Sequence, residues 1–219
     1  MTIRSTLKRK LLHILDSYAG ERKVHQFLKQ NAAIVFWAFS RMGGHQGFVI
    51  AQFPFGSKYV ADFVVLFSYS GAWEVHFIEL EPPDDNIITK SGGPTKRLNG
   101  AISQIGDWDA FVKQNRVFVQ KDLHDWCKKR SCFNLWELGS PPHGLIDGST
   151  EYEMSIRFAY HIVIGRRKIV TNEKRRKMSQ YEHTGRVCTY DGFVDIASNL
   201  DRSANTRESV HVGNRQEDF

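Results

Sequence analysis

Hydrophobic and polar positions follow two different periods at the start of the chain. Residues 5–18 repeat leucine and tyrosine at helical spacing, which predicts an amphipathic helix. Glu21 begins a second helix, whose apolar side chains share one face and which is predicted to end near Asn31. The pattern then changes, because residues 48–53 are rich in β-branched and aromatic side chains, so a strand is predicted there.

Two further predicted strands carry acidic side chains among apolar neighbours. Residues 59–67 are strongly apolar and are interrupted by one charge, Asp62. After a short turn, residues 73–81 form another predicted strand, which ends with Glu79 and Glu81. Two prolines then stop this strand, since proline cannot donate to a sheet ladder. The short turn predicts a hairpin with the two strands side by side.

The rest of the chain mixes helices and strands around a polar loop at residues 84–97. Helices are predicted over residues 95–113, 124–130, 173–181 and 193–200, and strands over residues 116–119, 158–165 and 186–190. This mixture predicts an α/β layer structure. Residues 1–200 are expected to form a single domain, and residues 201–219 a polar, disordered tail with few apolar anchors.

The carboxylates in the hairpin are the strongest chemical signal. Strand side chains alternate, so Glu79 and Glu81 point to one face and Leu80 to the other, and the hairpin would bring Asp62 beside Glu79. Like charges at such a distance raise each other's pKa unless a cation intervenes, and oxygen ligands of this kind suit Mg²⁺ or Mn²⁺. The alternative is that each carboxylate forms a salt bridge with a lysine or arginine neighbour.

Composition adds only broad limits. The 219 residues carry a formal net charge of +6 and a sequence pI of about 9.2, which favours a polyanionic partner such as nucleic acid or describes a basic protein without one. Three cysteines without a paired motif argue against a disulfide framework or zinc knuckle and fit a reducing cytoplasm. No apolar run has the length of a membrane span, so no membrane contact is expected.

An aspartate followed after sixteen residues by Glu-x-Glu resembles the motif of the PD-(D/E)xK nuclease superfamily. More narrowly, the chain resembles the nuclease domain of the Shedu anti-phage defence proteins over residues 20–197. The order and spacing of several segments carry the resemblance. These segments are residues 21–31, 61–63, 77–83, 89–95, 101–108, 163–167 and 189–191.

The resemblance implies a restriction-endonuclease-like core, a mixed β-sheet flanked by helices, and a metal-dependent DNA endonuclease. Asp62 and Glu79 would hold Mg²⁺ or Mn²⁺, with the Leu80 carbonyl as a third ligand. Glu21 matches an acidic residue of the first helix that supports the metal through water, and Gln104 matches a helix glutamine that lines the site. Shedu-like proteins can carry sensing domains, for which this chain has little room, so regulation is expected to come from oligomerisation or from a partner, and a homo-oligomer is expected.

The chain departs from the superfamily pattern at one position. Glu81 stands where a lysine usually positions the attacking water. Three alternatives follow: Lys90 from the next loop replaces the lysine, Glu81 is a further metal ligand, or the domain binds nucleic acid without cutting it.

Basic residues at two other places are candidate nucleic-acid contacts. The glycine-rich loop before the third helix ends in Lys96 and Arg97 and resembles a phosphate-holding loop, although a flexible surface loop would have the same composition. Arg166 and Arg167 belong to a basic cluster that would follow a nucleic-acid backbone, whereas a solvated surface is the plainer interpretation.

Overall fold

The computed structural model has a mixed β-sheet between two layers of helices, so the predicted α/β fold is confirmed and is consistent with a restriction-endonuclease-like core. It describes residues 6–17, 20–40, 46–69, 71–129, 132–135, 142–145, 155–181 and 185–213. The helices are α1 (Leu7–Asp16), α2 (Glu21–Gln30), α3 (Ala32–Phe39), α4 (Lys96–Gln114), α5 (Arg116–Cys127), α6 (Asn172–Ser179) and α7 (Asp191–Gly213), with a 3-10 helix at Arg167–Ile169. The strands are β1 (Gln46–Phe55), β2 (Tyr59–Tyr69), β3 (Ala72–Leu80), β4 (Phe133–Asn134), β5 (Ser155–Val163) and β6 (Arg186–Cys188).

The sheet combines an antiparallel half with a parallel half. Its strand order is β4-β1-β2-β3-β5-β6. Strands β1, β2 and β3 form consecutive antiparallel hairpins, whereas β5 pairs parallel with both β3 and β6. The connection from β3 to β5 contains α4 and α5, as a crossover between parallel strands requires. The carboxyl-terminal end of β3 therefore lies in the middle of the sheet.

Side-chain alternation along the central strands divides the interior into two cores. On one face, Phe77 packs with Trp108 of α4 and Leu123 of α5. On the other face, Ile78 packs with residues of α1, α2, α3 and α7, including Phe193. Because alternate side chains of β3 point to opposite faces, Glu79 shares the face of Phe77 and points toward α4.

The loop before α4 fixes where that helix begins. Thr95 caps the helix, since its hydroxyl oxygen accepts a hydrogen bond from the Leu98 amide at 3.3 Å, and its own amide donates to the Ile87 carbonyl. Gly92 has a φ of 90°, a left-handed conformation that favours glycine. The first turn of α4 is thereby held near the end of β3.

In the first two thirds of the chain, one predicted strand is wrong and one helix was not predicted. Residues 116–119, predicted as a strand, begin helix α5, where Val117 and Phe118 are each 72% exposed and only Val119 enters the core. Their apolar run therefore indicated neither a strand nor burial. Helix α3 was not predicted, because its apolar residues have no polar stripe that would reveal helical spacing.

The final helix is longer than expected. Helix α7 continues to Gly213, past the predicted end at Leu200, so helical backbone extends into the segment that was expected to be a loose tail. Residues 214–219 of that segment lie outside the described residues, and the single-domain division stays a prediction. No helix in the described part of the chain is long and apolar enough to span a membrane.

Candidate active site

The hairpin of β2 and β3 brings Asp62 and Glu79 together. The ladder pairs Phe63 with Ile78, and the next step of this register places Asp62 opposite Glu79. The Leu80 amide donates a hydrogen bond of 2.9 Å to Asp62 Oδ2, so the aspartate closes the end of the hairpin in place of a backbone acceptor. The two carboxylates are thus held by adjacent strands in the middle of the sheet.

Asp62 is also held from the side of β1. Gln52 Nε2 donates to Asp62 Oδ1 at 2.8 Å and lies 3.1 Å from His25 Nε2 of α2. The His25 ring stacks on Phe63, with ring centroids 4.8 Å apart. Burial raises the pKa of Asp62, while the hydrogen bonds from Leu80 and Gln52 and the neighbouring His25 oppose the rise. Hydrogen bonds therefore fix the orientation of this carboxylate.

Gln52 adopts a backbone conformation that is rare for its residue type. Its φ is 53°, and it is the single non-glycine residue with a positive φ among those described. It lies opposite Asp62, between the pairs Ala51–Phe63 and Phe53–Ala61. A left-handed non-glycine residue costs on the order of 1 kcal/mol, so the surroundings must hold it. The strained position is the one that delivers the amide to Asp62.

Glu79 is the least satisfied polar group of the site. Burial raises its pKa to about 9, with further contributions from Asp62 and Glu81, and a hydrogen bond with Gln104 of α4 opposes the rise. Its Oε2 is buried and has no hydrogen-bond partner. A buried carboxylate with an unpartnered oxygen is neutral or requires a cation.

Glu81 is paired with a cation that the sequence did not indicate for it. Arg97 Nε, from the first turn of α4, lies 3.4 Å from Glu81 Oε2 and 3.3 Å from Asp85 Oδ2. Burial raises the pKa of Glu81 to about 7, and Arg97 limits the rise. The Glu81 carbonyl accepts a hydrogen bond of 2.8 Å from the buried Tyr190 hydroxyl. The residue in the motif lysine's place is thus anchored by backbone and side chain.

The fit of a metal ion rests on two carboxylates rather than on a preformed cage. Glu21 is close enough to interact electrostatically with this acidic group, because burial and then the negative charge of Asp62 raise the pKa of Glu21. Within the described ranges, no three side chains of histidine, cysteine, aspartate or glutamate are placed to hold a metal. Mg²⁺ is commonly held by one or two carboxylates with water and substrate phosphate, and the unpartnered Glu79 Oε2 beside Asp62 fits that donor set.

The candidate basic residues differ in what they contact. Lys96 is exposed on the first turn of α4, and Lys90 forms no ion pair with any other described residue. Arg166 is buried and bridges Asp16 at 2.9 Å and Asp191 at 3.4 Å, so the geometry favours a structural role for it over the predicted nucleic-acid contact. Arg167 is exposed and pairs with Asp195 at 2.6 Å.

The order and spacing of the segments correspond to a known family. A family model described as Shedu protein SduA, C-terminal, matches residues 19–194. The chain belongs to this Shedu family. Membership associates it with anti-phage defence, and the resemblance to Shedu proteins that its sequence predicts is confirmed. No curated protein sequence matches the chain. All the acidic candidates, from Glu21 to Glu81, and Gln104 lie within the matched span.

Two residues that orient Asp62 were missed by sequence reasoning. His25 and Gln52 both contact Asp62, and neither is among the site residues predicted from the sequence. The available signal was a polar glutamine in a mostly apolar strand, ten residues before the partly buried Asp62. That signal is weak, because an exposed strand position accepts a glutamine without any functional reason.

Proposed function

We propose that this Shedu family member is a Mg²⁺-dependent nuclease of the PD-(D/E)xK type that hydrolyses DNA in anti-phage defence. The observation that carries the proposal is the buried, unpartnered Oε2 of Glu79 opposite Asp62. Two partly buried carboxylates at one end of a hairpin are costly unless a cation joins them. Mn²⁺, which accepts the same oxygen ligands, is expected to substitute.

Each acidic residue has a distinct role in the proposal. Asp62 and Glu79 would hold the metal, together with the Leu80 carbonyl, and Gln104 would fix Glu79 through its hydrogen bond. Glu21, on α2, would orient water at the same centre. When bound, the metal would lower the pKa of a coordinated water and neutralise charge on the scissile phosphate. The hydrogen bonds from Leu80 and Gln52 keep Asp62 in place throughout.

Arg97 is a second candidate, beside Lys90, for the cation that the motif lysine usually supplies. Its guanidinium is held by Glu81 and Asp85, and its side chain is 56% exposed. An exposed guanidinium beside the acidic centre is able to turn toward a phosphate, which it would bind through two N–H groups. Lys90 offers a single ammonium from a loop without an ion pair to hold it among the described residues.

Glu81 also favours a second function, a nucleic-acid-binding module that retains the nuclease fold without cutting. The carboxylate at position 81 repels a phosphate unless Arg97 or a metal neutralises it. In this alternative, the acidic residues would remain protonated or paired, and basic residues outside the site would provide the affinity.

Cleavage of plasmid and linear DNA separates these functions. The wild-type protein is incubated with Mg²⁺, Mn²⁺ or EDTA, beside Asp62→Asn and Glu79→Gln, which keep the side-chain shape and remove the charge. Asp122→Asn, an exposed change on α5, serves as the matched control. We expect metal-dependent cleavage that falls by at least about 1,000-fold in both site variants, since a metal ligand contributes several kcal/mol to the transition state.

The outcomes are distinct. Absence of metal-dependent cleavage by the wild type, with DNA binding retained in EDTA, would favour the binding module. Equal cleavage by the wild type and both site variants would refute the assignment of Asp62 and Glu79. A loss of cleavage in Asp122→Asn as large as in the site variants would show that the effect is not specific to the acidic centre.

A further inference from the structure

A second concave surface lies at the edge of the sheet, beyond the acidic centre. It is a cleft of about 700 Å³ between α6, the edge strand β6 and the start of α7. Arg167, Arg175 and Arg186 line it together with Thr189 and the apolar side chains of Val187 and Met178. Its volume lies within the range of small-ligand sites, but its basic lining differs from the mostly apolar lining that is usual there.

Two of the three arginines have no acidic partner within the described residues. Arg167 is balanced by Asp195, at 2.6 Å, whereas Arg175 and Arg186 form no ion pair with any described carboxylate. Both side chains are exposed, and no acidic residue belongs to the lining. Like charges that converge on one cleft repel each other unless an anion lies between them. The cleft is therefore complementary to a ligand with at least two negative charges.

The cleft lies on a line with the acidic centre. Glu79 pairs with Ile162 of β5, and Ile162 pairs with Val187 of β6, so the three residues form a row across the sheet. Ile162 and Val187 pack in the same core as Phe77, on the face toward which Glu79 points. Arg186 precedes Val187 on the edge strand, so it projects toward the opposite face, beside Phe39, and borders the cleft from around the edge of the sheet. Two strand spacings separate Glu79 from Val187, or about 10 Å. This is about three charge spacings along one strand of DNA.

Helix α6 connects the cleft with the glycine-rich loop before α4. The end of the Lys177 side chain occupies the space beside Gly92, so α6 reaches this loop through its lysine. Arg175 is on the same helix and faces the cleft, while Arg97 follows the loop at the start of α4. Basic side chains therefore extend from the acidic centre, along α6, to the edge of the sheet.

We propose that the cleft binds the phosphodiester backbone of nucleic acid through Arg175 and Arg186. The identity of the ligand rests on the proposed nuclease function, whereas the cleft, its charge and its alignment with Glu79 do not. A polymer fits better than a free anion, because an open cleft about 10 Å from the acidic centre lets one strand occupy both places. The apolar side chains of Met178, on α6 with Arg175, and Val187, on β6 with Arg186, line the cleft between these two arginines.

The test compares two double variants with the same loss of charge. Arg175→Ala with Arg186→Ala removes the two cleft cations. Arg176→Ala with Lys121→Ala removes one exposed cation from α6 outside the lining and one from α5. Binding of a labelled DNA duplex and a labelled single strand is measured by fluorescence anisotropy in EDTA, where no metal-dependent cleavage occurs. Each titration is repeated over a series of salt concentrations, and circular dichroism checks the fold of each variant.

The cleft variant is expected to bind DNA about tenfold more weakly than the wild type at about 0.1 M salt. The slope of log K against log salt should decrease by about one for each lost phosphate contact. The control variant should lose less than about threefold, since it removes only long-range charge. Equal losses in both variants, or no DNA binding by the wild type, would overturn the proposal.

Two further measurements test whether the cleft binds a small anion instead of DNA, and whether the nuclease proposal fails independently of the cleft. If the cleft variant loses binding of inorganic phosphate or a mononucleotide but keeps its affinity for DNA, the cleft is a small-anion site and the proposal is wrong. If the wild type cleaves no DNA in Mg²⁺, and the cleft variant but not the control variant loses DNA binding in EDTA, the cleft assignment stands and the nuclease proposal fails. If the wild type cleaves DNA and the cleft variant binds DNA with wild-type affinity, the cleft proposal is wrong while the nuclease proposal stands.

Discussion

Strand β3 carries buried polar side chains on both faces of the sheet, and the two groups are satisfied in different ways. On one face, His76 lies 3.1 Å from Glu74 Oε2 through Nε2 and 2.9 Å from His161 Nε2 through Nδ1. The Tyr69 hydroxyl donates to the other oxygen of Glu74. On the opposite face, Glu79 Oε2 has no partner. The first group forms a chain of hydrogen bonds, and the second contains an unsatisfied carboxylate.

The difference lies in where the compensating charge comes from. Burial and His76 lower the pKa of His161 to about 3, so this ring is neutral and the hydrogen bonds of the group suffice, although its Nδ1 has no partner. Burial raises the pKa of Glu79 to about 9, and the hydrogen bond with Gln104 does not offset the nearby carboxylates. The histidine group therefore fits a structural role, whereas the acidic group requires a ligand from outside to become ionised.

Removal of Arg97 should slow cleavage less than the loss of a metal-holding carboxylate but more than the other changes considered below. Arg97→Ala leaves Glu81 without its cation and removes the guanidinium that a phosphate would contact. DNA cleavage is expected to fall by about 100-fold or more, because loss of one charge-stabilising donor at a reacting centre costs about that much. Cleavage rates of Arg97→Ala, Arg97→Lys and Lys90→Ala are compared under the same conditions.

The three variants identify the cation. Partial activity in Arg97→Lys, together with near-normal activity in Lys90→Ala, would assign the role to Arg97. A larger loss in Lys90→Ala than in Arg97→Ala would instead support the loop lysine as the substitute for the motif residue.

Neutralisation of Glu79 should stabilise the metal-free protein. The pKa of Glu79 is about 9 in the folded state, above its ordinary value, so its contribution to stability is lost as pH rises from the ordinary pKa toward the folded one. In EDTA near about pH 8, Glu79→Gln should increase the free energy of unfolding by up to about 5 kcal/mol, because this pH lies about 3.5 units above the ordinary pKa and each unit is worth about 1.4 kcal/mol. Urea denaturation measures this difference.

Mg²⁺ provides the control for the stabilisation. It should raise the denaturation midpoint of the wild type and leave that of Glu79→Gln nearly unchanged, since only an ionised pair binds the ion tightly. A variant that is less stable than the wild type in EDTA, or a wild type that Mg²⁺ does not stabilise, would contradict the account of Glu79 as a carboxylate in need of a cation.

The histidine group predicts the opposite pH dependence. Because the pKa of His161 is lowered to about 3, its contribution to stability is present above the ordinary histidine pKa and is lost as pH falls. Between about pH 6.5 and 4.5 the wild type should lose about 2 kcal/mol of unfolding free energy through this residue. His161→Leu should flatten this acid limb in urea denaturation, whereas His13→Gln, an exposed change on α1, should leave it unchanged.

The hairpin and the faces of its acidic residues could be predicted because strand side chains have a fixed period of two. That period alone places Glu79 and Glu81 on one face and His76 on the other, as the structure has them. The number of residues between Asp62 and Glu79, with a short turn between their strands, also predicted that the two side chains lie opposite each other. Local pattern was therefore sufficient wherever the contact lies between neighbouring strands.

Contacts that depend on packing were not predictable in the same way. The pairing of Arg97 with Glu81 depends on how α4 docks against the end of β3, and no local pattern encodes that docking. The incorrect strand prediction at residues 116–119 arose because an apolar pair such as Val117 and Phe118 usually indicates burial, whereas both side chains lie on the solvent side of α5. A positive φ is signalled in a sequence only by glycine, so the conformation of Gln52 gave no warning.

Gln52 allows the smallest and finest test of the acidic group, because its strained backbone and its hydrogen bond to Asp62 can be separated. Gln52→Ala removes the amide and keeps a side chain at positive φ, whereas Gln52→Gly removes the amide and permits that φ without strain. Both variants should cleave DNA about tenfold more slowly, since Asp62 loses one of the donors that orient it. Gln30→Ala, on an exposed turn of α2, serves as the control.

The stabilities of the two Gln52 variants should differ. Gln52→Gly should be more stable than Gln52→Ala by about 1 kcal/mol, which is the cost of a left-handed conformation for a residue with a Cβ. Equal stabilities would show that the positive φ stores no strain, and wild-type cleavage by both variants would show that Leu80 alone suffices to hold Asp62. A slow but stable Gln52→Gly would show that the strain is tolerated for the sake of the carboxylate's orientation.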